Sequence, residues 1–240
     1  MATFRGELAD AVDLYIRAYD LSVGHGDFLD AAWDAVGAAA AYAYGDRPDD
    51  AIRFADQARA AAEQSRSPSA LALAAWVRGE IAAGSSPGQA RRHLQRAVAL
   101  ATSAGSRFVG GLSRVSLATL DARHGEVAVA LAHYERAIRE WQQAGAWTPL
   151  WVTLRTLVEL LARADAWADA ATLYGAVTSA SSGAPPFGAD ADRLRHSAAL
   201  LGQHLTGTEF RFQAGQGEQM GGDQVIQFAL QAIARAAAKP

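Results

Sequence analysis

The sequence predicts an all-α protein, a right-handed solenoid of helical hairpins with a helical cap at its C-terminal end. Three observations carry this. The first is an internal repeat: Ala11/Tyr15/Ala18, Ala51/Ala55/Ala58, Ala90/Leu94/Ala97, Ala130/Tyr134/Ala137 and Ala170/Tyr174/Val177 step along the chain by 40, 39, 40 and 40 residues. Small or apolar residues at i, i+4 and i+7 with such a period mark hairpins that bury their apolar faces on their neighbours. The second is a turn signal five or six residues before each triplet, at Gly6, Gly45, Gly84, Gly125 and Asp165. The third is a helical stretch ahead of four of these turns, over 28–44, 69–83, 108–124 and 149–164.

The elements follow in order. Residues 8–22 read as the second helix of a hairpin whose first helix is missing, and Leu8, Val12, Leu14, Tyr15, Tyr19 and Leu21 make it too apolar for an outer cap. This predicts a fragment of a longer protein. In Gly45-Asp46-Arg47-Pro48-Asp49 and Gly84-Ser85-Ser86-Pro87-Gly88 the Gly ends one helix and the Pro opens the next. Helices of about 15 residues would span roughly 22 Å. Within the triplets the alanines let backbones approach while the intervening Tyr or Leu fills the space between hairpins. Ala97→Trp is expected to overpack such a seam.

After Tyr174 the loop Ser179-Ala180-Ser181-Ser182-Gly183-Ala184-Pro185-Pro186 breaks the rhythm. The domain reading is therefore a repeat solenoid over 1–184 and capping helices over 185–240. A helix is expected over 190–205, then a Gly-rich connection, then a last amphipathic helix with Val225, Phe228, Ala229 and Ile233 on one side and Gln224, Gln227, Gln231 and Arg235 on the other. That closing pair would cover the last hairpin's core.

Composition narrows the function. The 240 residues are 50% apolar and 20% charged, enough for a substantial core. No run of eighteen apolar residues and no signal-peptide pattern occur, so a cytoplasmic address without membrane contact is expected. With no cysteine there is no disulfide, thiolate chemistry or cysteine zinc site. Among 22 basic residues only Lys239 is a lysine, and with abundant Ala and Gly this resembles the usage of a high-GC bacterium. A net charge of -3 argues against a general nucleic-acid surface. Arg91, Arg92 and Arg96 form one basic stripe, read as a solvated helix face rather than a phosphate site.

Enzyme signatures do not assemble, and the chain is read as non-catalytic, without cofactor or metal. His25, His93, His124, His133, His196 and His204 include no i, i+4 pair, and no Ser, His and acid set has a nucleophile-elbow context. Gly215-Gln216-Gly217-Glu218 has no following Lys and leaves no strand, so it reads as a linker before a helix rather than a phosphate cradle.

The hairpins resemble tetratricopeptide repeats. The ending Leu-Tyr-Gly-Ala (173–176), Ala-Pro-Pro (184–186), Gly-Thr-Glu-Phe (207–210) and Gly-Glu-Gln-Met-Gly-Gly-Asp-Gln-Val-Ile-Gln-Phe-Ala-Leu (217–230) is similar to the C-terminal part of large bacterial signal-transducing ATPases with numerous domains. Those include LuxR-type, antibiotic-regulator-type and cyclase-linked regulators. One departure is Gly221, where such tails usually start the last helix with Ser or Thr. The resemblance implies a sensory or interaction segment whose nucleotide-binding and DNA-reading modules lie elsewhere. Neither a Gly-Lys-Ser/Thr loop nor a helix-turn-helix is present in this sequence, and no direct nucleic-acid binding is expected of it.

In tetratricopeptide folds the first helix of each hairpin lines a concave groove. By that register Trp33, Val36 and Tyr44, then Ala75, Trp76 and Gly79, then Val115 and Arg123, then Val152, Arg155, Glu159 and Arg163 face it. Trp33, Tyr44 and Trp76 offer anchor pockets, and Arg155 and Arg163 offer charge for a carboxylate or an acidic peptide, with Arg123 and Glu159 on the same groove side. The alternative is that Trp33 and Trp76 pack between long helices, and that Trp141, Trp147 and Trp151 form a local packing cluster. The expected partner is a peptide, a protein or another domain of the parent regulator. A small-molecule sensor, with an enclosed polar pocket, and a self-assembly element are the alternatives.

Overall fold

A computed structural model describes residues 8–179 and 188–239. Among these the regular elements are twelve α-helices and no strand. They are α1 (Leu8–His25), α2 (Phe28–Tyr44), α3 (Pro48–Ser65), α4 (Pro68–Ala82), α5 (Pro87–Ser103), α6 (Arg107–His124), α7 (Val127–Ala144), α8 (Trp147–Arg163), α9 (Trp167–Thr178), α10 (Gly188–His204), α11 (Gly207–Glu218) and α12 (Gly222–Ala237). The fold is all-α, with helices packed on their chain neighbours in a hairpin period near 40 residues. The Gly6 turn and the segment 180–186, with the expected domain boundary, lie outside the described residues.

Each turn between helices has a chemical reason. Pro48, Pro68 and Pro87 open α3, α4 and α5, where a missing N–H costs nothing. Asp27 Oδ1 accepts from the Asp30 N–H, and Ser67 Oγ accepts from the Ala70 N–H. The left-handed positions recur with the repeat: Gly26, Arg66, Gly105 and Gly145 have φ of 76°, 52°, 65° and 63°, and are spaced 40, 39 and 40 residues apart. At Gly26, Gly105 and Gly145 the next residue's N–H returns to the carbonyl five residues back, the bond that closes a Schellman cap. The glycines read as turn signals at 45, 84 and 125 do not use this conformation. Beside Gly45 it is Asp46 that does, and Asp165 does so at its own turn.

The chain divides into two compact units, Met1–Leu117 and Ala118–Pro240, the division falling within α6. In the first, α1 packs on α2, α2 on α3 and α4, and α4 on α5. Its core is built largely of alanines from α2, α3 and α4, with Phe54 stacked on Tyr42 at 5.5 Å between ring centroids. Two of the triplets' middle residues, Tyr15 and Leu94, rest on glycines. Tyr15 lies over Gly37, and a Cβ on Gly79 would come 2.5 Å from Leu94 Cγ. Ala51, Ala55, Ala58, Ala90, Leu94 and Ala97 are fully buried, which is the packing role expected of the triplets.

In the second unit α7 packs on α8 and α8 on α9, with Tyr134 fully buried at the triplet position. The tail differs from the expectation in one element. Gly215-Gln216-Gly217-Glu218 is not a linker but the last turn of α11, so three helices, not two, follow residue 187. The reason is the contact with α9. A methyl on Gly175 would fall on the Ala214 carbonyl, and one on Gly217 on the Thr172 carbonyl. Two glycines thus let the backbones touch, and this close packing offsets the weak helix propensity of glycine, about 1 kcal/mol each. Thr206 and Glu209 form a capping box that starts α11. At α12 Gly221 supplies no side-chain acceptor, but its N–H donates to Gln224 Oε1 at 2.8 Å.

Candidate functional site

The first helices of the hairpins carry the candidate residues. In the first unit, Trp33 on α2 is 38% exposed and Phe108 at the start of α6 is 47% exposed, their ring centroids 6.2 Å apart. Leu29, one helical turn before Trp33, is also exposed. Apolar side chains do not stay in water for stability, so three of them within one patch form a surface able to bury a partner's apolar group.

Trp76 on α4 does not join that pair. Its Nε1–H donates to Ser116 Oγ at 2.9 Å, and Ser116 Oγ in turn donates to the Leu112 carbonyl at 3.1 Å. The indole is half-buried and its polar edge is satisfied by α6. Ser69 Oγ and Ser106 Oγ, 3.0 Å apart, bridge the N-terminal ends of α4 and α6 in the same way. Tyr44 lies at the opposite end of α2 from Leu29 and is exposed along one edge. Leu29 and Phe108 are the residues that sequence reasoning missed. Phe108 stands 75 residues from Trp33, and no period within the chain links the two.

In the second unit the four charged candidates serve distinct ends. Arg123 on α6 and Glu159 on α8 form a two-point ion pair, Nε to Oε1 at 3.3 Å and Nη2 to Oε2 at 3.2 Å. Arg163 caps the C-terminal end of α6: Nη1 donates to the carbonyls of Asp121 at 3.1 Å and Ala122 at 2.5 Å, and Nη2 to Gly125 at 2.8 Å. The carbonyls at a helix C-terminus lack intrahelical partners and carry partial negative charge, which a guanidinium satisfies. Arg155 is buried in α8. These residues lie within one layer of α6 and α8, but three of them serve that layer's own structure.

The same layer holds further polar groups. His133 Nδ1 lies 3.3 Å from the carboxylate of the nearly buried Asp121. Tyr134 OH lies 3.1 Å from Thr119 Oγ1, and burial raises its phenol above the ordinary value, opposed by hydrogen bonds to Thr119 and Thr156. In the first unit His93 is held below the usual imidazole range, first by burial and then by Arg78, Arg92 and Arg96. Two members of the basic stripe on α5 therefore act on this imidazole. Among the described residues no three His, Asp or Glu side chains converge as a metal-ligand set, and no helix is long and apolar enough to cross a membrane.

Two clefts open on the surface. One, at the junction of α11 and α12, is lined by Gln216, Gln219, Met220, Asp223, Gln224, Gln227, Phe228 and Gln231. The other joins Phe28 to Ala60, Glu63, Gln64 and Arg66 near the N-terminal end of α2. The chain matches no protein-family model and no curated protein.

Proposed function

We propose that this chain is a non-catalytic interaction module that binds a peptide or protein segment through an apolar anchor. The observation that carries the reading is the exposed Leu29, Trp33 and Phe108 patch on the first helices of the hairpins. Aromatic side chains with large contact area and few rotatable bonds dominate binding energies at such surfaces. Both clefts named above are open rather than enclosed, which favours an extended or helical partner over a small molecule.

The resemblance of the tail motifs and of the hairpins supports reading this module as part of the C-terminal region of a bacterial signal-transducing ATPase regulator of the LuxR or antibiotic-regulator type. On that reading the partner is a protein, a peptide or another domain of the regulator, encountered in the cytoplasm, and nucleotide and DNA are handled by other segments. A second reading, a sensor for a small polar effector, rests on the glutamines and Asp223 that line the cleft between α11 and α12, although that cleft is open.

A peptide library immobilised as an array and probed with this chain tests the proposal. Ligands bearing a large apolar residue are expected, and Trp33→Ala should weaken them by about thirtyfold, the effect of losing one aromatic anchor. Binding indifferent to Trp33→Ala and Phe108→Ala would remove the patch from the site. A small-molecule library that raises the melting temperature, while the array stays blank, would transfer the function to the sensor reading.

A further inference from the structure

α5 carries positive charge that its own sequence does not answer. It holds Arg91, Arg92 and Arg96 and no acidic residue. In the repeat register Arg92 corresponds to Arg53 of α3, which pairs with Asp50, and Arg96 to Arg136 of α7, which pairs with Glu140. The positions on α5 that would supply those carboxylates are Gln89 and Leu100. Arg92 and Arg96 are both exposed, and among the described residues neither finds an acidic partner.

A third guanidinium arrives from α4. On the other first helices the register of Arg78 is held by Ala38, Leu117 and Leu157, all buried and apolar. Arg78 instead pairs with Asp56 of α3, and its Nε–H is buried without an acceptor, so one carboxylate leaves this guanidinium only partly satisfied. α4 packs on α5, and the charges that act on the half-buried His93 imidazole, after burial itself, are Arg78, Arg92 and Arg96, all of one sign. Three guanidiniums therefore converge on one imidazole, and with Asp56 as the carboxylate paired to them two positive charges remain in excess. Sequence spacing shows only the two arginines of α5; the packing of α4 on α5 adds Arg78.

We propose that Arg78, Arg92, Arg96 and His93 form a binding site for a phosphate group, either inorganic phosphate or the dianion of a phosphomonoester. An excess of two positive charges matches a dianion, whereas one carboxylate would neutralise only half of it. Arg92 and Arg96 stand one helical turn apart, so their planar donor forks can share the oxygens of one tetrahedral anion without first giving up another partner. The bound anion would also relieve the mutual repulsion of the three guanidiniums and favour a proton on the His93 ring. The proposal does not depend on the Trp33 patch or on the peptide reading built on it.

Proton NMR of the His93 ring, assigned by its loss in His93→Gln, reads this site directly. At about pH 8, where a phosphomonoester is a dianion, and at constant ionic strength, inorganic phosphate from about 0.1 to about 30 millimolar should shift that resonance along a saturating curve. Arg92→Gln and Arg96→Gln should each weaken the apparent affinity at least about fivefold, whereas Arg136→Gln, at the register of Arg96 but already paired with Glu140, should leave it unchanged. Because neither α5 arginine has an acidic partner to lose, both variants should keep the melting temperature of the parent, which separates lost binding from lost folding. The absence of a saturating shift, a shift untouched by both α5 variants, or an equal response to acetate overturns the proposal. Binding of a DNA duplex without any response to phosphate also overturns it, in favour of an extended polyanion surface.

Discussion

At His93 the balance between burial and charge is visible in one side chain. Its folded value lies below the ordinary 6.5 because the imidazole is partly buried and Arg78, Arg92 and Arg96 disfavour a further positive charge. The unfolded chain therefore takes up a proton more readily than the folded one as pH falls. The sign follows: stability is intact above 6.5 and declines as pH drops below it toward the lower folded value. His93→Gln should flatten this part of a stability-against-pH curve measured by urea unfolding, and an unchanged slope would assign it to other groups. Glycine gives a second contrast at this scale. Gly175→Ala or Gly217→Ala drives a methyl into the facing backbone and should destabilise by roughly 1–3 kcal/mol or more, because neither carbonyl can move aside cheaply. Gly215→Ala, on the same helix as Gly217 but with open space around its Cα, should stabilise by up to about 1 kcal/mol. Thermal unfolding of the three variants separates close approach from propensity.

The helices owe their ends to recurring local chemistry. Of the four left-handed positions at 26, 66, 105 and 145, three are glycine and the fourth is the exposed Arg66. An L-residue with a side chain is strained there by about 1–2 kcal/mol, partly offset because glycine loses more entropy on folding. Arg66→Gly should therefore raise stability by about 0.5–1 kcal/mol in denaturant unfolding, and Gly145→Ala should lower it by a similar amount. Unchanged stability in both variants would mean that the turn is set by its neighbours. At the start of α11, Glu209 accepts from the Thr206 N–H and is held below the ordinary 4.5, chiefly by that bond and by the Thr206 hydroxyl. A depressed carboxylate contributes its stability above its unfolded value and loses it as pH falls through the folded one. The melting temperature of Glu209→Gln should accordingly lie below that of the parent near neutral pH and converge with it below 4.5.

Over the whole molecule the contacts run mostly between helices adjacent in the chain, and the residues fall into two compact units. Stability in such an array approaches a sum of local terms and nearest-neighbour interfaces, rather than one indivisible transition. Gly217→Ala strikes only the second unit. Its calorimetric trace should broaden or split, with the lower transition carrying the loss, and a single sharpened or uniformly shifted peak would show one cooperative block.

Much of the fold was legible because a repeat writes its packing several times over. The triplets and the helical stretches before them locate α2, α4, α6 and α8 to within a residue or two, since helix period and turn chemistry act over short distances. The left-handed register at 26, 66, 105 and 145 was equally periodic, but Arg66 in place of glycine hid it. α11 was not legible. Three glycines argue locally against a helix, and only the meeting of Gly175 with Ala214, and of Gly217 with Thr172, reverses that argument. The candidate site divides in the same way. Sequence register placed Trp33, Trp76, Arg123, Arg155, Glu159 and Arg163 on the first helices. Tertiary structure brought Phe108 to Trp33, tied Trp76 to Ser116, and gave Arg163 to the end of α6. By itself the sequence determined the repeat helices and their pairing, though not α11, because these rest on spacing and local conformation. Which side chains remain open to a partner was decided only by contacts between residues far apart in the chain, and no local spacing records such contacts.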